Sequence, residues 1–159
     1  MPRNPTIHPT QRISPEFQDR LNSIIKDKEC TKYEFSSLVG VSKEVISRSC
    51  LYGIIPSLQS LIKIADYLNI SINYLLGKTS NSNFIKSECN VSFHERLRSL
   101  ANEKHKKYSE IARKMIFPES YFHDWIRTNT LPSLDYLIKI AEYFNVSPDY
   151  ILGRTDERD

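Results

Sequence analysis

Glycine is scarce in this chain, four residues in 159, and no glycine-rich phosphate loop follows a strand. Cysteine is scarcer still and odd in number. Cys30, Cys50 and Cys89 are widely spaced, which fits neither a disulfide framework nor a CxxC-type metal site, so they read as reduced thiols of an intracellular, cytoplasmic protein. Long apolar runs and a signal peptide are both missing, and a soluble chain without membrane contact is expected. The four histidines, His8, His94, His105 and His123, are scattered, and no carboxylate pair comes with a pocket that the sequence can define. No catalytic residue, cofactor or metal is therefore assigned, and the chain is not expected to be an enzyme. Strand-type alternation of apolar and polar residues is also absent, which makes the class all-α.

What the chain does contain is a repeat. Pro56-Ser57-Leu58 through Leu76-Gly77-Lys78-Thr79 returns as Pro132-Ser133-Leu134 through Leu152-Gly153-Arg154-Thr155, without a gap. The same offset pairs Phe17 with Phe93, Arg20 with Arg96, Leu21 with Leu97 and Glu34 with Glu110. Most identities fall in the last third of each copy, so one scaffold presents two different surfaces. The formal net charge of +3 permits contact with a polyanion without demanding it. Residues 17–79 and 93–155 each carry two more basic than acidic side chains, so charge does not separate the copies.

Each copy reads as a run of short helices. Ser14-Pro15-Glu16 supplies a cap and an N1 proline before Phe17, Leu21, Ile24 and Ile25, which share one helical face. Ser92 and Glu95 form a capping-box pattern at the matching place in the second copy. Later, Leu58, Leu61, Ile62, Ala65 and Leu68 make an apolar stripe, Asn69 suits a left-handed C-cap, and Ser71 caps a one-turn helix closed by Gly77. Ser133, Asn145, Ser147-Pro148 and Gly153 repeat that punctuation.

Between these ends, Thr31 can cap a helix that carries Phe35, Ser36 and Val39 inward. Gly40 can take the positive φ of a tight turn, Val41 plugs the core and Ser42 caps the next helix. This is a helix-turn-helix, whose second helix is shaped to enter a major groove. The sequence resembles the Cro and lambda-repressor-like (XRE) family in Phe35-Ser36, Gly40-Val41-Ser42, Ile46-Ser47-Arg48, Pro56-Ser57-Leu58, Leu61-Ile62-Lys63-Ile64-Ala65 and Tyr74-Leu75-Leu76-Gly77. The resemblance covers both copies. It implies two tandem lambda-repressor-like helix-turn-helix domains of about five short helices each, in a sequence-specific DNA-binding transcriptional regulator of repressor type, of phage, mobile-element or bacterial origin. Double-stranded DNA is the implied partner.

By position, the resemblance puts Lys43, Glu44, Ser47 and Arg48 at base edges. Arg48 can grip guanine through two hydrogen bonds, Lys43 can take guanine or phosphate, and Glu44 can accept from cytosine. Thr31, Lys32, Tyr33 and the capping Ser42 fall where backbone amides and a positive dipole end favour phosphate. In copy two Ile116-Phe117-Pro118 replaces Gly40-Val41-Ser42, and the groove-facing positions become Glu119, Ser120, His123 and Asp124. Two carboxylates there repel a phosphate-lined groove. Arg127 and Asn129, just after, remain candidate contacts, so copy two is either a second reader or a helper domain that binds a protein partner.

The loop Leu51-Tyr52-Gly53-Ile54-Ile55 is unusually apolar. Leu51, Tyr52, Ile54 and Ile55 are candidates for packing against another protomer in a homodimer or against copy two, or they fold back over their own helices. The expected organisation is a flexible N-terminal arm over 1–13, a first helix-turn-helix domain over 14–79, a linker over 80–91, a second domain over 92–155 and a tail over 156–159. A protein-interaction module, antitoxin-like or inhibiting a host factor, is the competing reading.

Overall fold

Hydroxyl side chains open most of the helices, because the first turn of a helix leaves amides without intrahelical partners. Ser14, Thr31, Ser42, Ser57 and Ser71 accept from the backbone N–H three residues on, and begin α1 (Pro15–Asp27), α2 (Lys32–Val39), α3 (Lys43–Tyr52), α4 (Leu58–Leu68) and α5 (Ile72–Leu75). The same order continues through α6 (Phe93–Glu103), α7 (Tyr108–Met115), α8 (Ser120–Thr128), α9 (Leu134–Phe144) and α10 (Pro148–Ile151). Ser92 and Ser147 cap α6 and α10 by side chain, whereas Lys107, Glu119 and Ser133 make no such bond. This computed structural model describes residues 12–159, and the chain divides into two units, Met1–Ser82 and Asn83–Asp159. The class is all-α. Among the described residues the only extended pairing is a single antiparallel bridge, Ile13 to Ile54, and no helix is long and apolar enough to cross a membrane.

Each unit has its own core. Phe17, Leu21, Phe35, Ile46, Leu61, Ile64, Ile72 and Leu75 are buried in the first, and Phe93, Leu97, Ile111, Phe122, Leu137, Ile140 and Ile151 in the second. Truncating any one of these aliphatic residues to alanine is expected to cost about 2–5 kcal/mol. The end of each unit is clamped by a guanidinium on a ring. Arg20 lies 3.9 Å from the Tyr74 centroid and donates to the Thr79 carbonyl, and Arg96 lies 4.0 Å from the Tyr150 centroid and donates to Asp156.

Segments outside the helices pack on their own units. Apart from Arg12 and Ile13, the expected N-terminal arm lies outside the described residues. The Ile55 N–H donates to the Arg12 carbonyl and the Ser14 N–H to the Gly53 carbonyl, both at 2.9 Å. Within the expected linker, Arg154 covers the Phe84 ring at 4.7 Å and the Thr155 hydroxyl donates to the Ile85 carbonyl at 2.7 Å. Arg158, in the tail, donates to both carboxylate oxygens of Glu103, which holds that carboxyl below its ordinary range.

Left-handed backbone marks the same five places in both units. Glu29, Gly40, Gly53, Asn69 and Gly77 have positive φ, and so do His105, Ile116, Asn129, Asn145 and Gly153, each 76 positions later. Glycine at Gly153 is dictated by space, since an added Cβ would stand 2.0 Å from the Val91 carbonyl oxygen. At Gly40 nothing lies within 4 Å of an added Cβ, so only conformation favours glycine there. Ile116 nevertheless holds φ +58° at that turn in the second unit, with 90% of its surface exposed. A β-branched residue in this conformation is strained and here has no burial to offset the strain.

Ile116→Gly is therefore expected to stabilise the second unit by about 1 kcal/mol, the relieved strain being partly offset by glycine's greater unfolded entropy. Chemical denaturation of the full chain reads this as a later transition for the second unit. An earlier transition would mean that Ile116 makes contacts that its exposure does not reveal.

Candidate nucleic-acid interface

Helix α3 is oriented by what it buries. Ile46, Ser49 and Cys50 face the core, and the buried Ser49 hydroxyl donates to the Ile54 carbonyl at 2.8 Å, tying the helix to the loop that follows. Burial also pushes the Cys50 thiol upward, so it stays protonated. With 100° between successive residues, the opposite side must carry Glu44, Ser47 and Arg48, with Lys43 at its leading edge. Lys43 and Glu44 are exposed, and Ser47 and Arg48 are half-buried. Their side chains make no hydrogen bond or ion pair among the described residues. Two cations, a carboxylate and a hydroxyl thus stand together on one helical face with their valences open.

The groups placed near phosphate gather at the start of α2. Thr31 accepts from the Glu34 N–H at 3.1 Å and Ser42 from the Val45 N–H at 3.3 Å. Each hydroxyl therefore keeps its hydrogen to donate outward. Lys32 is half-buried and Tyr33 is 63% exposed. The Lys43 ammonium sits over the Tyr33 ring, which brings the N-termini of α2 and α3 to one place. The turn between the two helices is held from behind by Lys63, whose Nζ donates to the Gly40 carbonyl at 3.4 Å.

The apolar loop is divided. Leu51 is exposed and Tyr52 and Ile55 are half-buried, but Ile54 is 5% exposed under the bridge to Ile13. Ile54 is thus a core residue and drops out of the candidate interface. Ile13, half-exposed beside it, enters in its place. That exchange depends on a segment more than 30 residues away in sequence, and no local pattern signals it.

Helix α8 has the same place in the second unit and a different chemistry. Its first turn lacks a side-chain cap, and Glu119 stands before it in helical conformation. Glu119 and His123 pair at 3.2 Å, and Arg127 donates to Asp124 at 3.1 Å. The polar groups of this face engage one another. Their spacings, four and three residues, are those at which helical neighbours meet, so the pairing was available in the sequence. Ser120 remains exposed, and Asn129 serves as the left-handed C-cap.

Beside this face lies a cluster of rings. Phe117, Tyr121, Trp125 and Tyr136 contact one another with centroids 5.3–6.1 Å apart, and the Tyr121 hydroxyl raises the Tyr136 phenol. Only Phe117 of the four is buried. Among the described residues no group of histidine, cysteine, aspartate and glutamate is suited to a metal ion.

Residues 22–75 match the protein-family model described as helix-turn-helix, a stretch that runs from within α1 to the end of α5. No curated protein and no solved structure matches the chain. The first unit thus carries a segment similar to the helix-turn-helix regulators of XRE type, a DNA-binding and not a catalytic family.

Proposed function

We propose that the protein is a sequence-specific DNA-binding regulator that represses by occupying an operator through α3. One observation carries the reading. Among the described residues the side chains of Lys43, Glu44, Ser47 and Arg48 make no hydrogen bond or ion pair on α3, whereas Glu119 with His123 and Asp124 with Arg127 engage one another around α8. An arginine and a lysine whose N–H donors are not engaged keep them for guanine and phosphate. A face whose donors are already engaged with one another, and which keeps two carboxylates, has little to offer a groove lined by phosphate.

In this reading the second unit is a further copy of the helix-turn-helix scaffold, spent on auxiliary contacts. One reading helix covers only a few base pairs, so operator binding is bivalent. A homodimer through the face of Ile13, Leu51 and Ile55 places two α3 helices about 34–36 Å apart on a dyad-symmetric operator.

A second reading has a specific observation behind it. The exposed Ile116 and the half-buried Tyr121, Trp125 and Tyr136 offer aliphatic and aromatic surface next to polar groups engaged with one another, the composition of a protein contact more than of a DNA contact. The second unit then binds a protein while the first binds DNA.

Arg48→Ala is expected to cost about 1–3 kcal/mol on the preferred duplex and to relax preference at one base pair. Binding titrations against a panel of single base-pair variants measure both effects. A uniform loss across all sequences would make Arg48 a phosphate contact, and no loss would remove it from the interface.

Replacing Glu119, His123 and Asp124 together by alanine is expected to leave base preference unchanged. Affinity should rise slightly at low salt, a gain that fades as added salt screens the lost repulsion. An altered preference at one half-site in the same panel would make α8 a second reader of DNA.

A further inference from the structure

The first residue of α3 meets the second residue of α2. Lys43 Nζ lies 5.8 Å from the centroid of the Tyr33 ring, and this is its one attachment among the described residues. Tyr33 is 63% exposed and belongs to no core. The contact therefore lies outside the core, at the leading edge of the face formed by Glu44, Ser47 and Arg48. In the second unit the positions 76 residues later hold Ser109 and Glu119. Ring and ammonium are lost together there, and Glu119 turns to His123 instead.

A lysine ammonium is a strongly hydrated point charge on a flexible four-carbon stem. Left free beside DNA, it spreads its time over neighbouring phosphates and carries no sequence information. A ring face attracts the ammonium electrostatically, without taking up its hydrogens in a fixed bond. Holding the charge near its working position before DNA arrives reduces the freedom lost on binding. It also leaves the N–H donors to point at an acceptor such as guanine O6 or N7.

We propose that Tyr33 is a positioning residue that aims Lys43 at a base edge, turning a general phosphate contact into a sequence-reading one. This rests on the reading of α3 as the groove helix.

The test uses the full-length chain, a duplex selected from a random pool, and its single base-pair variants. Tyr33→Leu removes the π face and keeps the bulk; Tyr33→Phe keeps the face and removes the hydroxyl. Tyr33→Leu is expected to weaken binding to the selected duplex about two- to fivefold. It should also flatten preference at the pair that Lys43→Ala flattens, and have no further effect in the Lys43→Ala background. Tyr33→Phe should keep the preference of the unaltered protein at that pair, any lost hydroxyl contact to phosphate acting uniformly across sequences. Equal losses from both Tyr33 variants, or losses that add to that of Lys43→Ala, would make Tyr33 an independent backbone contact and overturn the proposal. If Lys43→Ala leaves every base preference intact, the proposal also fails. Arg48→Ala in the same panel then shows whether α3 still reads DNA, which separates that failure from failure of the wider reading.

Discussion

Burial of one side of the third helix governs the rest of each unit. Ile46 in the first unit and Phe122 in the second are buried at matching positions, and a helix pinned at that point cannot rotate without exposing a large apolar group. What remains outside is then decided by residue spacing alone. In the first unit the outside is Lys43, Glu44, Ser47 and Arg48; in the second it is Glu119, Ser120, His123 and Asp124. The core fixes the aim of the face, and the sequence of the face is free to vary because no core atom depends on it. Between Phe35 and Ile55 no residue is shared with the corresponding stretch of the second unit, although the helices there keep their order.

The backbone shows how strongly the scaffold is imposed. Five left-handed positions recur at one offset while their residues change from glycine to isoleucine, from glycine to asparagine and from glutamate to histidine. Glycine and asparagine accept that conformation readily, whereas isoleucine does not. Ile116 adopts it because Phe117 must enter the core directly after the turn, as Val41 does in the first unit. Packing of the one residue overrides the preference of its neighbour.

Much of this was legible in the sequence. The caps at Ser14, Thr31, Ser42 and Ser71, the left-handed Asn69 and the inward Phe35, Ser36 and Val39 all follow from local rules of hydrogen bonding and period. Other features depend on contacts that local rules do not reach. Ile54 reads as exposed until Ile13 is laid across it, and Phe84 and Ile85 read as linker until Arg154 and Thr155 hold them. The pairing of Glu119 with His123 and of Asp124 with Arg127 is of a third kind. Its spacing of four and three residues is visible in the sequence, and the folded side chains show that both pairs close.

In the proposed mode of binding the exposed side of α3 faces guanine in a major groove. Methylation interference on the selected duplex addresses it most directly, because guanine carries its methyl acceptor N7 in the major groove and adenine its N3 in the minor groove. Methylation at guanine N7 within each half-site is expected to block binding by the full-length protein, and Arg48→Ala to abolish the block at one of those guanines. Interference confined to adenine N3, or none at any guanine, would contradict it.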